Sequence, residues 1–487
     1  MLISLFTVRI VLNALGAEDY GINNVVGGVV AMFAFLTSTM TSASQRFFSY
    51  ALGQKNFVKL SQYFCITFWC YVGLIVFIVV LSETLGLWFV KNKLTIPHVR
   101  MNAAMWVYQF AICSFVISII CIPFNSIIIA REMMSIYAYA GIAEAFLKLL
   151  VAFLLYVSPT DKLISYSALM FLMNAIVYGF YIIYGLRRFD ECKIRLYWNS
   201  STFKEVISYS AWSLFGAISG VIRSQGINIL LNVFFNPIVN AARAIAFQIN
   251  TSINYFVINF YKAVQPQIVK TYAANEQDSF SNLVFRSSRF CFYLIIFVSI
   301  PVLIETPIIL SLWLKKVPDY TILFTRLVII TAIIDSTQYP LQTCISATGK
   351  IKLFQIVTGS LLILNLPISW FFLRNGYPPQ ATMYVAIGIS LVAQATRIYF
   401  AKLYANISVR AYMFTVFFRI ALVFLFSISL PLWFFHIFIE GFSRFFIIIF
   451  TSFFWTGFII WLGGITSQER KTIKLLLIRR FHAFRNC

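Results

Sequence analysis

Long apolar segments alternate with short polar loops along almost the whole chain. An apolar segment of about 20 residues can cross a bilayer as an α-helix, because a helix satisfies its own backbone hydrogen bonds there. The alternation therefore predicts about fourteen membrane-spanning helices. The predicted spans cover residues 1–15, 22–44, 61–81, 105–129, 137–157, 163–186, 206–234, 239–260, 290–313, 322–346, 353–373, 382–403, 414–438 and 445–462.

The order of features in the first part of the chain recurs in its second half. Gly16 aligns with Asn236, and Gln45 aligns with Gln265 at the same spacing. Each copy runs from a turn through an apolar span to a glutamine and a polar loop. Any two membrane spans share some of these features, but a constant spacing is typical of transporters built from internal repeats.

The span count and the repeat together predict an all-α integral membrane fold. We expect a bundle of about 12–14 transmembrane helices in two pseudo-symmetric six-helix lobes, with two extra C-terminal helices. The basic tail has the pattern of an amphipathic helix that lies on the membrane. The predicted parts are an N-lobe over 1–186, a cytoplasmic inter-lobe linker over 187–205, a C-lobe over 206–403, the two extra helices over 404–466 and the basic cytoplasmic tail over 467–487.

The composition agrees with a membrane protein. Hydrophobic residues make up 60% of the chain and charged residues 11%, whereas about 25% of the residues in a soluble protein are charged. The net charge of +22 would suit a nucleic-acid partner. Most of the loop lysines and arginines, however, fall on the side that holds the N-terminus in the predicted topology. This is the positive-inside pattern, so we expect no nucleic-acid partner.

The sequence offers no sign of a metal site or of a catalytic motif. Its eight cysteines are scattered and form no CxxC pair and no metal-spaced set with histidine, so we expect no metal and no cofactor. A Walker A loop and a Gly-x-Ser-x-Gly motif are also absent from the sequence. ATP hydrolysis and serine-hydrolase chemistry are therefore not expected.

Three short runs near the N-terminus carry a resemblance to a known family. They begin at Arg9 (RIVLNALGAEDYG), at Val25 (VVGGV) and at Gln45 (QRF). In these runs the chain resembles bacterial polysaccharide biosynthesis proteins, which are the lipid-linked oligosaccharide flippases for O-antigen and capsule in the MOP exporter superfamily. Such proteins usually carry more residues before the first arginine, so we expect either a truncated start or a short first helix here.

The resemblance implies a MOP-type helix bundle and a carrier. The cargo would be an undecaprenyl-diphosphate-linked oligosaccharide, such as an O-antigen, capsule or exopolysaccharide repeat unit, moved from the cytoplasmic to the periplasmic leaflet by alternating access. The two C-terminal helices would add a groove for the lipid tail. The resemblance also implies the bacterial inner membrane as the location, with membrane lipids and the polymerase and glycosyltransferases of the same pathway as partners.

A diphosphate headgroup needs fixed cations inside the membrane. Arginine suits this role because it stays charged and binds phosphate oxygens through two N–H groups at once. The resemblance implies that Arg9 faces the central cavity; the alternative is an arginine that snorkels from a short helix. Arg46 is a second candidate or a simple membrane anchor. Arg223 and Arg243 are candidates whose alternative is a hydrogen bond between helices.

Acidic residues in the spans are scarce. Asp335 lies mid-span without a partner on its own helix, so it either pairs with another helix or serves as an ion-coupling group. Glu144 and Lys148 stand four positions apart on one helix and are expected to neutralise each other. The remaining span arginines lie nearer the span ends and are expected to snorkel to the interface; they are Arg326, Arg397 and Arg419.

The sugar part of such a cargo needs hydrogen bonds and aromatic rings. Asn250, Asn254 and Tyr261 follow helical spacing and are candidate sugar contacts on one helix face. Polar side chains in a span also serve to join helices, and this alternative applies to each of the three.

Two other classes of function compete with the flippase. A multidrug or cation exporter of the same superfamily would share the fold but would favour acidic residues in its cavity, whereas here the charges within the spans are mostly basic. A polysaccharide polymerase or membrane glycosyltransferase would need a large external loop or an acidic catalytic motif. Glu18 and Asp19 resemble such a motif only faintly, so we expect a protein that is not an enzyme.

Overall fold

The fold was analysed in a computed structural model that describes residues 2–31, 33–92, 94, 96–195, 197–235, 237–314, 317–467 and 469–471. Within these residues every regular element is helical. A short helix, Thr306–Trp313, lies between two of the long helices. The long helices α1 to α14 span, in order, Leu2–Ala31, Ala34–Gly53, Phe57–Asn92, His98–Ala130, Met134–Val157, Lys162–Arg188, Ser200–Phe234, Pro237–Ala273, Gln277–Ile304, Thr321–Ala347, Lys352–Arg374, Ala381–Ala405, Val409–Ile437 and Phe442–Gly464.

Eleven of the helices in the described residues are long and apolar enough to cross a membrane. They expose many large apolar side chains, among them Phe77, Phe153 and Phe454. An apolar surface on this scale would cause a soluble protein to aggregate, but it suits a protein surrounded by lipid. The protein is therefore a multi-pass membrane protein, and the predicted all-α fold is confirmed.

The first two helices differ from the predicted spans 1–15 and 22–44. Helix α1 continues to Ala31, and its only non-helical backbone lies at Gly16, which has a φ of 78°. Glycine adopts this conformation at little cost, so the chain kinks there and resumes the helix without a loop. The second helix starts at Ala34, so the boundary between the two helices lies in the middle of the predicted second span.

The chain divides into two compact units. The first contains Met1–Ala217 with Tyr272–Ala274, and the second contains Ile218–Thr271 with Asn275–Cys487. The division falls within α7. This helix starts at Ser200, inside the stretch 187–205 that was predicted as a linker.

In the first unit, a buried apolar cluster joins α1 to α4 and α6, with Val26 and Tyr108 fully enclosed. Arg100, at the start of α4, forms ion pairs with Asp19 on α1 and with Asp161, the latter at 2.5 Å. Asp161 also caps α6 by accepting hydrogen bonds from the backbone N–H groups of Leu163 and Ile164. These contacts fix the starts of α4 and α6 to the middle of α1, just after its kink.

In the second unit, two ion pairs tie α9 to α14 and to the residues that follow α14. Glu305 follows α9 and has 0% exposure, and Arg444 on α14 donates to it at 2.8 Å. Near the middle of α9, Arg289 donates to Glu469, which lies five residues after α14, at 2.7 Å. Of the predicted tail 467–487, residues 468 and 472–487 lie outside the described part of the chain.

Candidate functional site

A cavity of about 390 Å³ lies within the second unit. Helices α7, α8, α10, α11 and α12 contribute its walls. The lining mixes apolar side chains with polar and charged ones, as in ligand sites that orient a bound molecule through a few polar groups. The polar and charged lining residues are Arg223, Ser224, Arg243, Asn250, Thr251, Asn254, Thr331, Asp335, Gln338, Tyr339, Asn365 and Thr382.

Helix α10 is interrupted at the cavity. Its first part ends at Asp335 and its second part begins at Gln338, with Ser336 and Thr337 between them. Interrupted helices within membranes free backbone polar groups and commonly mark ligand sites in transporters. The hydroxyl of Thr337 accepts a hydrogen bond of 2.7 Å from Gln394 on α12, which holds the break in place.

Arg243 is the most enclosed cation of the lining, with 5% exposure. Its Nη1 donates to Asn228 on α7, and its guanidinium lies 4.3 Å from the centre of the Phe247 ring. Its Nε has no hydrogen-bond partner among the described residues. A buried donor without a partner has a free-energy cost, which an anionic ligand in the cavity would remove.

Arg223 lies on α7, one turn along from Gly220. Its side chain makes no hydrogen bond and no ion pair within the described part of the chain. The two predicted headgroup residues Arg223 and Arg243 thus line one cavity, together with the carboxylate of Asp335.

Asp335 has partners on α12, a contact that sequence spacing could not show. Ser390 donates to its Oδ2 at 3.2 Å, and Nη1 of Arg397 lies 4.0 Å from its Oδ1. Arg397 is only 7% exposed, so the prediction that it snorkels to the interface is wrong. It stays buried because Asp335 compensates its charge. The coupling role of Asp335 stays a prediction.

Two of the three candidate sugar contacts line the cavity. Asn250 and Asn254 lie one turn apart on α8, and Nδ2 of Asn254 donates to Oδ1 of Asn250 at 2.7 Å. Tyr261 is not in the lining. Its hydroxyl bonds to Thr343, and its ring packs 5.3 Å from that of Tyr339, which does line the cavity. Tyr261 is therefore placed to support Tyr339.

Tyr339 and Asn365 line the cavity as well, although neither is among the residues predicted from the sequence. Asn365 has a buried Nδ2 without a partner in the described residues. Pro340 directly follows Tyr339, and a proline within a predicted span was the one signal of an interrupted helix at this place. Asn365 stands two positions before Pro367, which is also a proline within a predicted span.

Arg46 lies in the first unit and not in this cavity. It is buried beside the rings of Phe47, Tyr50 and Tyr209 and lies 3.6 Å from Glu205. Arg9 lies on α1, and its side chain is outside the described part of the structure.

Three other charged residues in the spans have partners within the protein. Glu144 and Lys148 form the expected pair at 2.5 Å. Arg326 donates to the backbone carbonyl of Leu303 at 3.2 Å.

Comparison with known proteins gives matches to solved structures. No protein-family model and no curated protein matches the sequence. An outward-facing multidrug resistance MATE family transporter of the MOP superfamily superposes with a TM-score of 0.72, over 83% of this chain and 92% of that one, at 11% identity. The chain has the MOP transporter fold.

Other solved MATE and MOP superfamily structures match the chain over a similar length. A MATE structure in the bent conformation matches with a TM-score of 0.68 at 13% identity, over 85% of this chain and 92% of that one. A MOP superfamily transporter from Pyrococcus furiosus matches with a TM-score of 0.64 at 11% identity, over 85% of this chain and 94% of that one. That structure is described by the reverse polarity of its binding pocket. These identities establish the fold, and they leave the substrate to be argued from this chain's own residues.

Proposed function

We propose that this protein is a flippase that moves an undecaprenyl-diphosphate-linked oligosaccharide from the cytoplasmic to the periplasmic leaflet of the bacterial inner membrane. The observation that carries the proposal is the cationic cavity of the second unit. Arg223 lies there without a direct partner, and Arg243 keeps one free donor. Two arginines in one membrane cavity match the charge of a diphosphate diester.

The chemistry of the lining fits the rest of the cargo. A diphosphate in the bilayer loses its water, and arginine N–H groups replace those hydrogen bonds with charge-assisted ones. The amides of Asn250 and Asn254 can both donate to and accept from sugar hydroxyls. Tyr339 offers a ring face and a hydroxyl. Arg9 and Arg46 are proposed as further headgroup contacts during transport.

The fold supplies a route for transport. Solved structures of this fold include one described as outward-facing and others described as bent and straight conformations. We propose alternating access for this chain, with the cargo's headgroup carried in the cavity and its lipid tail left in the membrane. The polymerase and glycosyltransferases of the same pathway are the proposed partners.

Complementation tests the proposal. The chain is expressed in a bacterium that lacks its own oligosaccharide flippase but makes the cognate glycan, and surface glycan is scored. We expect the native chain to restore glycan, and Arg223→Gln, Arg243→Gln and Arg9→Ala to reduce it at equal membrane levels. The exposed Arg410 provides the matched control, since Arg410→Gln removes the same charge outside the cavity. Full restoration by both cavity variants would refute the headgroup site.

One observation favours a second function, export of drugs or organic cations. Asp335 places a carboxylate in the cavity lining, and a carboxylate is the group that would bind a cation. Its contacts with Arg397 and Ser390 weaken this case, because a cation would have to compete with an arginine. Drug resistance conferred by the chain, and lost in Asp335→Asn without any effect on glycan, would establish the exporter.

A further inference from the structure

The carboxylate of Asp335 lines the same cavity as Arg223 and Arg243. Its side chain is 21% exposed, and the exposed part belongs to the cavity wall. A negative charge there repels any anion that the arginines attract. A site evolved only to hold an anion tightly would have no use for it.

Contacts with α12 hold this carboxylate in place. Ser390 donates to one of its oxygens, and Arg397 lies 4.0 Å from the other. Arg397 in turn donates to Gln394 at 3.4 Å. The positive charge of Arg397 beside it favours the ionised form of the carboxylate, which is the form that the inference requires.

We propose that Asp335 is the built-in counter-ion of the empty cavity and limits how tightly the cavity binds an anionic headgroup. The inference rests on the proposed function, because it assumes that the cavity takes an anion. When the cavity is empty, the carboxylate compensates part of the positive charge of Arg223 and Arg243. When the headgroup enters, the carboxylate opposes it. A carrier must release its cargo after each crossing, and a lining anion keeps binding weak enough for release.

The proposal makes a quantitative prediction. Coulomb energy is proportional to the charge of the ligand, so removing Asp335 helps a doubly charged anion twice as much, in free energy, as a singly charged one. In affinity, the gain for the dianion is then the square of the gain for the monoanion. We expect about a threefold gain for a monoanion and about a tenfold gain for a dianion.

The test uses two small probes with the full chain in lipid nanodiscs. Dimethyl phosphate carries one negative charge, and the dimethyl ester of pyrophosphate with one methyl on each phosphate carries two. Their affinities are measured by titration calorimetry for the native chain, Asp335→Asn and Arg223→Gln. Asparagine keeps the shape of the side chain and a hydrogen bond with Ser390. Glu144→Gln is the matched control, because it removes one carboxylate from the first unit.

The outcomes separate this inference from the proposed function. Tighter binding of both probes to Asp335→Asn, with the larger gain for the dianion, supports the counter-ion. An unchanged or weaker affinity, or equal gains for both probes, overturns it. Binding that Arg223→Gln weakens while Asp335→Asn leaves it unchanged overturns the counter-ion alone. No binding to the native chain, or no effect of Arg223→Gln, overturns the proposed function as well. If Asp335→Asn does not fold, Asp335→Ser gives the same comparison.

Discussion

At the scale of single residues, Arg243 is a buried cation in a membrane span that is held in a fixed orientation and still has an unused hydrogen-bond donor. It is buried, its guanidinium is oriented by Asn228 and by the Phe247 ring, and its Nε is free. The two contacts fix the plane of the guanidinium before any ligand arrives. An oriented arginine loses less conformational entropy when it binds a phosphate than a freely rotating one.

Arg243→Lys tests whether this orientation matters. Lysine keeps the charge but loses the planar fork and the bond to Asn228, so we expect the affinity for the pyrophosphate diester to fall about tenfold. Calorimetry in nanodiscs measures the change, with Arg410→Lys as the control at an exposed site. An affinity equal to that of the native chain would show that only the charge of Arg243 counts.

The loop carboxylate Asp161 gives a prediction about pH. Burial raises its pKa, but hydrogen bonds from the backbone of Ile164 and from Arg100 outweigh this, and its net pKa lies below the usual range. A lowered pKa in the folded state stabilises the protein above the unfolded-state pKa of about 4, and the stabilisation is lost as the pH falls further. We expect Asp161→Asn to unfold earlier than the native chain near neutral pH.

Thermal unfolding between about pH 7 and about pH 3 measures this effect. The difference in unfolding temperature between Asp161→Asn and the native chain should shrink as the pH falls, because the native carboxylate becomes protonated. A difference that stays constant over the whole range would mean that Asp161 acts through its cap geometry and not through its charge.

Sequence could identify single cavity residues but not their partners. Arg223 and Arg243 stand out because a charge in an apolar span is costly unless it has a use or a partner. The contact between Asp335 and Arg397 joins two helices, and the spacing within one helix carries no information about it. Arg397 was therefore misjudged as a snorkelling residue.

At the scale of elements, the last two helices are fastened to the second unit by α9. The pair between Glu305 and Arg444 is almost fully buried. The middle of α9 has its own pair with Glu469 and a hydrogen bond of 3.0 Å from Tyr293 to the carbonyl of Gly464. These contacts hold α14 against the second half of α9.

Glu305→Gln is expected to destabilise the protein strongly. The change leaves Arg444 buried with only the exposed Glu440 near it, at 4.0 Å, and breaking a buried pair costs about 3 kcal/mol or more. Thermal unfolding in detergent measures the loss. Adding Arg444→Met should restore part of it, because no charge then stays buried. A double variant that is as unstable as the single one would mean that the charge of Arg444 is not the cause.

The length of the helices was easier to predict than the point where one ends. Apolar runs mark most spans well, because the bilayer sets their length. The acidic stretch after Gly16 has the composition of a loop, yet α1 continues through it. Asp19 is held there by Arg100, a residue of another helix, so tertiary contacts decided the boundary and local composition did not.

At the scale of the whole molecule, the chain shares its fold with solved MOP superfamily structures, and the repeat in the sequence stays a prediction. The aligned halves do not carry the same chemistry. The second unit holds the cationic cavity, whereas Arg46 in the first unit is enclosed by aromatic rings and lies near Glu205. We therefore propose that the headgroup binds in the cavity of the second unit.

Translocation in proteoliposomes tests this account most directly. The native chain and a variant with both Arg223→Gln and Arg243→Gln are reconstituted with a fluorescent undecaprenyl-diphosphate-linked sugar. Exposure of the sugar on the far leaflet is followed with a reagent that does not cross the membrane. We predict translocation by the native chain and by Arg410→Gln, and none above the protein-free rate by the double variant. Equal translocation by the folded double variant, or none by the folded native chain, would contradict the account.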